Sequence, residues 1–179
     1  MQVFAGGRGV APEGMSYNVY MGTVFGTTLV TVNSGYIGGN IYGGGRQSRV
    51  YAAGSLASTV NIIQEKVSNS DIEVDYNLFI YGSVFGGGDR GTGSATNASV
   101  PTTIGNVEVN IIGSSEGTAI YFDEGGVYGD GNLCLVNGDR VVNMKNFTTG
   151  INGKLKTFYS LQRAAVVNLD NTDIVLLGA

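Results

Sequence analysis

The sequence predicts an all-β fold: a single-domain β-solenoid (parallel β-helix) in which short strands coil repeatedly, with glycine-rich corners and loop excursions. Three observations support this prediction. Glycine supplies 30 of the 179 residues and proline only 2. Val, Ile, Thr, Tyr and Phe recur in short runs separated by Gly, Asn, Asp and Ser, as in short strands and tight turns. Two motifs also repeat along the chain. An antiparallel β-sandwich remains the alternative.

The first motif is an aliphatic–aromatic pair followed by a glycine cluster. It occurs at residues 3–7, 41–45, 84–88 and 127–131, spaced by 38, 43 and 43 residues. A shorter copy at residues 24–26 lies between the first two and indicates a half period. We therefore expect about 20 residues per coil, and a stack of roughly eight coils about 40 Å tall.

We expect the glycine clusters to form corners, where the backbone takes positive φ or comes close to the neighbouring coil. The predicted corner residues are Gly6, Gly7, Gly43, Gly44, Gly45, Gly86, Gly87, Gly88, Gly129 and Gly131. Tyr42, Phe85 and Tyr128 precede three of these clusters. We expect these aromatic rings to pack between successive coils.

The second motif is a Val-Asn pair within an alternating run. Around one copy, Val107, Val109 and Ile111 alternate with Glu108 and Asn110, which predicts a strand with one buried face and an outward asparagine. The copies are Val32-Asn33, Val60-Asn61, Val109-Asn110, Val142-Asn143 and Val167-Asn168.

The repeat extends along most of the chain, so we expect residues 1–179 to form one solenoid unit, a segment of a longer repeat protein. The polar stretches 64–77, 89–103 and 113–124 are predicted loop excursions. Residues 146–160 contain clustered Lys and aromatic residues and are predicted to be an insertion. The sequence contains no secretion signal and no apolar run long enough for a membrane span.

Composition excludes several classes of chemistry. The chain has no histidine, which removes Ser-His-Asp and Cys-His nucleophiles and His-based metal sites. A formal net charge of −4 without a basic stripe disfavours nucleic acid as a partner. Cys134 lies in an apolar run, which predicts a small buried residue. We therefore predict no catalytic and no cofactor-binding residue.

A calcium site at Asp89 or Asp130 is the alternative for the glycine-rich turns, because Gly- and Asp-rich loops bind Ca²⁺ in β-rolls. The nine-residue period of such loops is absent. Counting five residues from each aliphatic position also gives the mixed column Arg8, Arg46, Asp89 and Asn132, which predicts an Arg46–Asp89 pair. The acidic residues Asp123, Glu124, Asp130 and Asp139 are predicted to be a surface patch.

The motifs GNIYGGG (39–45) and GSVFGGG (82–88), with the Val-Asn strands between them, resemble the glycine-rich parallel β-helix repeats of large bacterial surface and adhesin-type proteins. The resemblance covers residues 3–145. It implies an extracellular or cell-surface location and a structural or adhesive role in a surface or fibre-forming protein. Partners would be a host or cell-surface glycan or protein, or further copies joined end to end.

Two other functions stay open. A carbohydrate-active β-helix would be a polysaccharide lyase that uses Lys145, Lys154 or Arg140 with an acid and Ca²⁺, or a glycan-binding module. An ice-binding or glycan-binding face would need a flat threonine array. The candidates for that array are Thr27, Thr28, Thr31, Thr102 and Thr103.

Overall fold

The computed structural model describes residues 1–9, 20–64, 67–69, 72–74, 78–90, 101–113, 120–122, 125–146, 157–159 and 165–172. Within these residues the regular elements are all β-strands. In chain order they are β1 (Val3–Phe4), β2 (Val24–Phe25), β3 (Thr28–Val32), β4 (Gly35–Ile37), β5 (Ile41–Tyr42), β6 (Val50–Ile63), β7 (Val67–Asn69), β8 (Ile72–Val74), β9 (Leu78–Ile80), β10 (Val84–Phe85), β11 (Pro101–Ile112), β12 (Ile120–Phe122), β13 (Gly126–Tyr128), β14 (Leu135–Asn137), β15 (Arg140–Lys145), β16 (Thr157–Tyr159) and β17 (Ala165–Asp170).

Three parallel sheets carry the described fold. Sheet A has the order β1-β5-β10-β13-β16; sheet B has the order β17-β15-β11-β6-β2, with β3 and β14 pairing to β6 and β11; and sheet C has the order β12-β9-β4. The β7–β8 ribbon is antiparallel. The predicted all-β class is confirmed. The antiparallel sandwich is wrong for the described strands, because the pairs in sheets A, B and C are all parallel.

Neighbouring strands lie 31–43 residues apart in sheets A and C and 25–53 residues apart in sheet B. In sheet A, Val3 is opposite Ile41, Ile41 is opposite Val84, and Val84 is opposite Val127. From β1 to β13 the chain passes through sheets A, B and C in that order and then returns to sheet A. Four strand spacings of about 4.8 Å make sheet A roughly 20 Å wide.

The half period of about 20 residues is wrong. Val24 and Phe25 pair with Val50 and Tyr51 of sheet B and not with the glycine-motif strands of sheet A. The short copy of the motif therefore belongs to a different sheet from the copies that it resembles. The estimates of eight coils and about 40 Å, which followed from the half period, are wrong for the same reason.

The core lies between the three sheets. Along β15, Arg140, Val142 and Met144 are buried while the residues between them are partly or fully exposed, so one face of sheet B points inward. Each fully buried Val or Ile contributes about 1.5–3 kcal/mol of transfer free energy. The buried cluster is Val30, Ile41, Val60, Ile62, Leu78, Ile80, Val84, Val109, Ile111, Ile120, Phe122, Val127, Val142 and Met144.

The Val-Asn motif marks the register of sheet B, with one exception. Asn61, Asn110, Asn143 and Asn168 occupy one column. In β3, however, Thr31 is the residue opposite Asn61, and the predicted Val32-Asn33 copy is shifted from this register.

The predicted loop excursions contain short strands. β7 and β8 lie within residues 64–77, β11 begins within 89–103, and β12 lies within 113–124. β12 pairs in register with β9, so even three residues suffice when a neighbouring strand supplies the hydrogen bonds. In the predicted insertion 146–160, β16 pairs with β13 in sheet A. Residues 147–156 and 160 lie outside the described residues.

Candidate functional site

The predicted corner glycines continue the hydrogen-bond ladder of sheet A beyond its strands. Gly6 N donates to Gly44 O (3.1 Å), Gly44 N donates to Gly87 O (3.0 Å), and Gly87 N donates to Asp130 O (3.2 Å). A Cβ added to Gly44 would lie 2.7 Å from Gly88 N. The ladder therefore needs glycine because successive backbones approach closely.

Positive φ occurs next to the glycine clusters, not within them. None of the ten predicted corner glycines has positive φ, whereas Gln47, Arg90 and Leu133 have φ of 54°, 65° and 55°. Each of the three lies six residues after the aliphatic residue of its motif. Sequence reasoning missed these turns, because left-handed backbone is ordinarily signalled by Gly, Asn or Asp.

The mixed column that follows the glycines is present. Arg8, Arg46, Asp89 and Asn132 form successive parallel bridges. Asp89 is only 4% exposed; its Oδ1 accepts from Asn132 Nδ2 (2.9 Å), and its Oδ2 lies 3.8 Å from Arg46 Nε. Arg90 Nε lies at the same 3.8 Å distance from Asp89 Oδ2. The predicted Arg46–Asp89 pair is confirmed.

Asp130 holds a buried arginine. Its Oδ2 accepts from Arg140 Nη1 at 2.8 Å, and the Arg140 side chain is 0% exposed. Its Oδ1 accepts from the backbone N of Gly131 (3.0 Å) and of Val136 (2.6 Å). The carboxylate thus compensates a buried cation and fixes the turn that leads into β14, a structural arrangement whose disruption is costly.

These contacts bear on the calcium interpretation of Asp89 and Asp130. Both carboxylates already accept hydrogen bonds from protein groups and lie next to arginine side chains. Within the part of the chain that the structure describes, no group of three or more His, Cys, Asp or Glu side chains is placed to hold a metal ion. Asp123 and Glu124 lie outside the described residues. The arrangement at Asp89 and Asp130 favours charge pairing over metal ligation.

Of the candidate lyase residues, Arg140 and Lys145 both belong to β15 but have different surroundings. Arg140 is buried, so its guanidinium is inaccessible to a polysaccharide, whereas Lys145 is exposed and its Nζ lies 3.1 Å from Asp170 Oδ2. Lys154 lies outside the described residues. The prediction of an exposed, flat threonine array is wrong, because the side chains of Thr28, Thr102 and Thr103 are buried and cannot contact ice or a glycan.

The outer face of sheet B carries a ladder of asparagine amides. Asn110 Nδ2 donates to Asn61 Oδ1 (2.8 Å), Asn143 Nδ2 donates to Asn110 Oδ1 (2.7 Å), and Asn168 Nδ2 donates to Asn143 Oδ1 (2.7 Å). All of these donors point in the same direction along the sheet. The predicted outward orientation is confirmed for these four asparagines and not for Asn33, whose Oδ1 is buried. The spacing of the motif did not indicate that the asparagines bond to one another.

The rings of the glycine motif stack across sheet A. Phe4–Tyr42, Tyr42–Phe85 and Phe85–Tyr128 have centroid distances of 4.6, 5.0 and 4.6 Å and interplanar angles of 13° or less. The predicted packing between successive motif strands is confirmed. Burial raises the pKa of the Tyr42 phenol, and the hydrogen bond from Asn40 partly opposes that rise.

Cys134 is buried, as its apolar sequence context predicts. Its Sγ lies 3.1 Å from Gly88 O. Burial raises the pKa of the thiol to about 12. The side chain is therefore a neutral, inert thiol at physiological pH.

Sequence reasoning missed a second row of aromatic residues, which lies on the outer face of sheet C. Tyr36 of β4 is opposite Phe79 of β9, and both side chains are exposed. The signal was present in the sequence as an aromatic residue just before an aliphatic one, Ile37 or Ile80, of which Ile80 is buried and Ile37 is partly buried. This order is the reverse of the aliphatic–aromatic pair that marked the strands of sheet A.

Comparison with known proteins finds no matching family model, no matching curated protein and no matching solved structure. Among the described residues, no helix is long and apolar enough to cross a membrane.

Proposed function

We propose that the chain is a β-solenoid segment with a structural and adhesive role in an extracellular bacterial surface or fibre-forming protein, without catalysis. The observation that carries this proposal is the parallel pairing in three sheets that the chain visits in turn, with successive strands of sheet A from β1 to β13 lying 38, 43 and 43 residues apart. A chain that visits the sheets in a fixed order and returns one strand further along describes a coil.

The side chains on these strands suit a structural role. Residues of similar type lie opposite one another in successive strands, as in the stacked rings of sheet A and the asparagine ladder of sheet B. Each added strand buries apolar surface and adds backbone hydrogen bonds, so stability accumulates with the number of repeats. The buried charges are paired with one another, as Arg140 is with Asp130.

The bacterial surface location rests on the resemblance of the GNIYGGG and GSVFGGG motifs to repeats of large surface proteins. It is tested with antibodies raised against the purified chain. The antibodies should label intact cells of the organism that makes the protein. Labelling that requires permeabilised cells would overturn the surface location.

The absence of catalysis is tested separately, by incubating the full chain with a panel of polysaccharides. We expect neither new reducing ends nor unsaturated products. Product release would favour the lyase alternative, and a Lys145→Ala variant would then show whether the exposed Lys145 takes part.

A further inference from the structure

The outer face of sheet C presents a narrow aromatic strip, defined here as Tyr36, Phe79 and Tyr81. Their side chains are 69%, 40% and 42% exposed. Leu78 and Ile80 are buried, so Phe79 and Tyr81 project from the opposite, outer face of the strand. Tyr36 is opposite Phe79 in the adjacent strand.

Backbone pairing holds the strip in place. β9 is bonded on both sides, to β4 and to β12, and Tyr81 N donates to Ile37 O at 2.9 Å. Adjacent strands lie about 4.8 Å apart, so the Tyr36 and Phe79 positions are separated by one strand spacing. Aromatic side chains on paired strands lose little conformational entropy when they bind.

A glycine, which has no side chain, lies beside the Tyr36 ring. Gly38 is exposed, and a Cβ there would lie 3.4 Å from Tyr36 Cε1. Met1 N lies 3.7 Å from the same Cβ position. Because the Tyr36 side chain is 69% exposed, a flat ligand can reach the part of its ring that faces solvent.

We propose that this strip binds an extended, uncharged polysaccharide, whose sugar rings place their C–H faces on the aromatic rings. The inference rests on the proposed adhesive function and names its partner. The side chains of the strip, two Tyr and one Phe, carry no formal charge, and the whole chain has a net charge of −4. Neither feature attracts an anionic polymer.

The size of the strip favours a glycan over a folded protein. An aromatic side chain buries about 150–250 Å² when fully covered, so three rings near half exposure offer roughly 300 Å². A stable protein interface needs about 800 Å² from each partner. A polysaccharide can bind through such a narrow strip because the same contact recurs along its length.

The test is affinity electrophoresis of the full chain in gels that contain a neutral polysaccharide: mixed-linkage β-glucan, xyloglucan or galactomannan. We expect at least one of them to retard the protein. Phe79→Ala and Tyr36→Ala should each weaken the interaction at least fivefold, and Gly38→Glu should weaken it by obstructing the Tyr36 ring. Phe79→Leu keeps an apolar side chain without the ring and should bind as weakly as Phe79→Ala.

Tyr51→Ala is the matched control. Tyr51 is 45% exposed but lies on sheet B, so its loss should leave retardation unchanged. Urea midpoints of all variants show whether a loss of binding reflects unfolding. Circular dichroism of Phe79→Leu gives the same check for the variant that keeps most of the apolar volume.

The proposal is overturned if no neutral polysaccharide retards the protein, or if Tyr51→Ala weakens retardation as much as Phe79→Ala does. It is also overturned if sedimentation shows a dimer that Tyr36→Ala dissociates, because the occupant would then be a second copy of this chain. Each of these results leaves antibody labelling of intact cells unaffected. Failure of the glycan site and failure of the surface location are therefore distinguishable.

Discussion

Replacing Gly87 with alanine tests whether the glycine ladder requires a bare backbone. The new Cβ would lie 2.9 Å from Gly131 N, 2.9 Å from Val136 Cγ2 and 3.0 Å from Gly131 Cα. Optimal carbon contacts are about 3.5–4.0 Å, so all three distances fall short by roughly half an ångström or more. Two of the three atoms belong to the backbone of the neighbouring repeat. Relief therefore requires sheet A to separate locally.

The expected loss of stability follows from these contacts. Overpacking typically costs about 1–3 kcal/mol, and backbone neighbours place this site near the upper value. Alanine also restricts the unfolded chain, which offsets about 0.4–1 kcal/mol. We therefore expect Gly87→Ala to lower the free energy of unfolding by about 2–2.6 kcal/mol. For a chain of this size the melting temperature should fall by roughly 4–10 °C.

Urea denaturation followed by circular dichroism measures the effect, with Gly38→Ala as the control. A Cβ on Gly38 would meet Tyr36 Cε1 at 3.4 Å and Met1 N at 3.7 Å, and this glycine does not have positive φ. Gly38→Ala should therefore be neutral or stabilising by up to about 1 kcal/mol. A Gly87→Ala protein within about 0.5 kcal/mol of the parent, the range of ordinary surface substitutions, would refute the close-approach explanation.

Four further predictions follow from the buried groups and the turns. Leu133→Gly should raise the urea midpoint by relieving left-handed strain, a net gain of about 0.5–1 kcal/mol after the entropy cost of glycine. Asn110→Ala removes two amide hydrogen bonds and should lower stability by about 1–2 kcal/mol in the same assay. Asp130→Asn leaves the buried Arg140 cation without its carboxylate and should cost about 3–5 kcal/mol by urea denaturation. Because the folded pKa of Cys134 is raised to about 12 from 9.0, stability should fall as pH rises from about 9 towards 12, and Cys134→Ala should remove that part of the fall.

Each of these predictions has a distinct control or contrary outcome. Lys145→Ala breaks an exposed ion pair and should cost less than about 1 kcal/mol, so an equal cost at Asp130 would contradict the buried-pair argument. Asn168→Ala removes only the end of the asparagine ladder and should cost less than Asn110→Ala. A thiol reagent that labels the folded protein at pH 8 would contradict the burial of Cys134. An unchanged or lower midpoint for Leu133→Gly would contradict the strain argument.

The glycine motif predicted four of the five strands of sheet A, all but β16, because its requirements are local. Glycine is needed after the aliphatic–aromatic pair wherever the backbones of two repeats come close, so the same residue types recur at the same position of each repeat. The motif failed at residues 24–26. Gly26 has φ of 131°, and a Cβ there would meet nothing within 4 Å. A similar short sequence therefore adopts a different backbone conformation here. The sheet to which β2 belongs is decided by its pairing with Val50 and Tyr51, which lie far along the chain.

Features that depend on contacts across repeats were harder to predict. The burial of Arg140 depends on Asp130, which lies ten residues away across a turn. From the sequence alone an arginine is expected to be exposed, because arginine is rarely fully buried unless it is paired. The left-handed turns at Gln47, Arg90 and Leu133 are imposed by the ladders on either side and not by the residue types. Such features appear only once the register is known.

The equal offsets in sheet A have an evolutionary consequence. Ile41, Val84 and Val127 are opposite one another at intervals of 43 residues, so residues 41–83 and 84–126 each contribute one strand position to sheet A in the same register. Duplicating or deleting such a module preserves the register of sheet A on either side of the junction, whereas a gain or loss of one residue within a strand shifts its side chains to the opposite face. Recombination between modules can thus lengthen or shorten the protein in whole units.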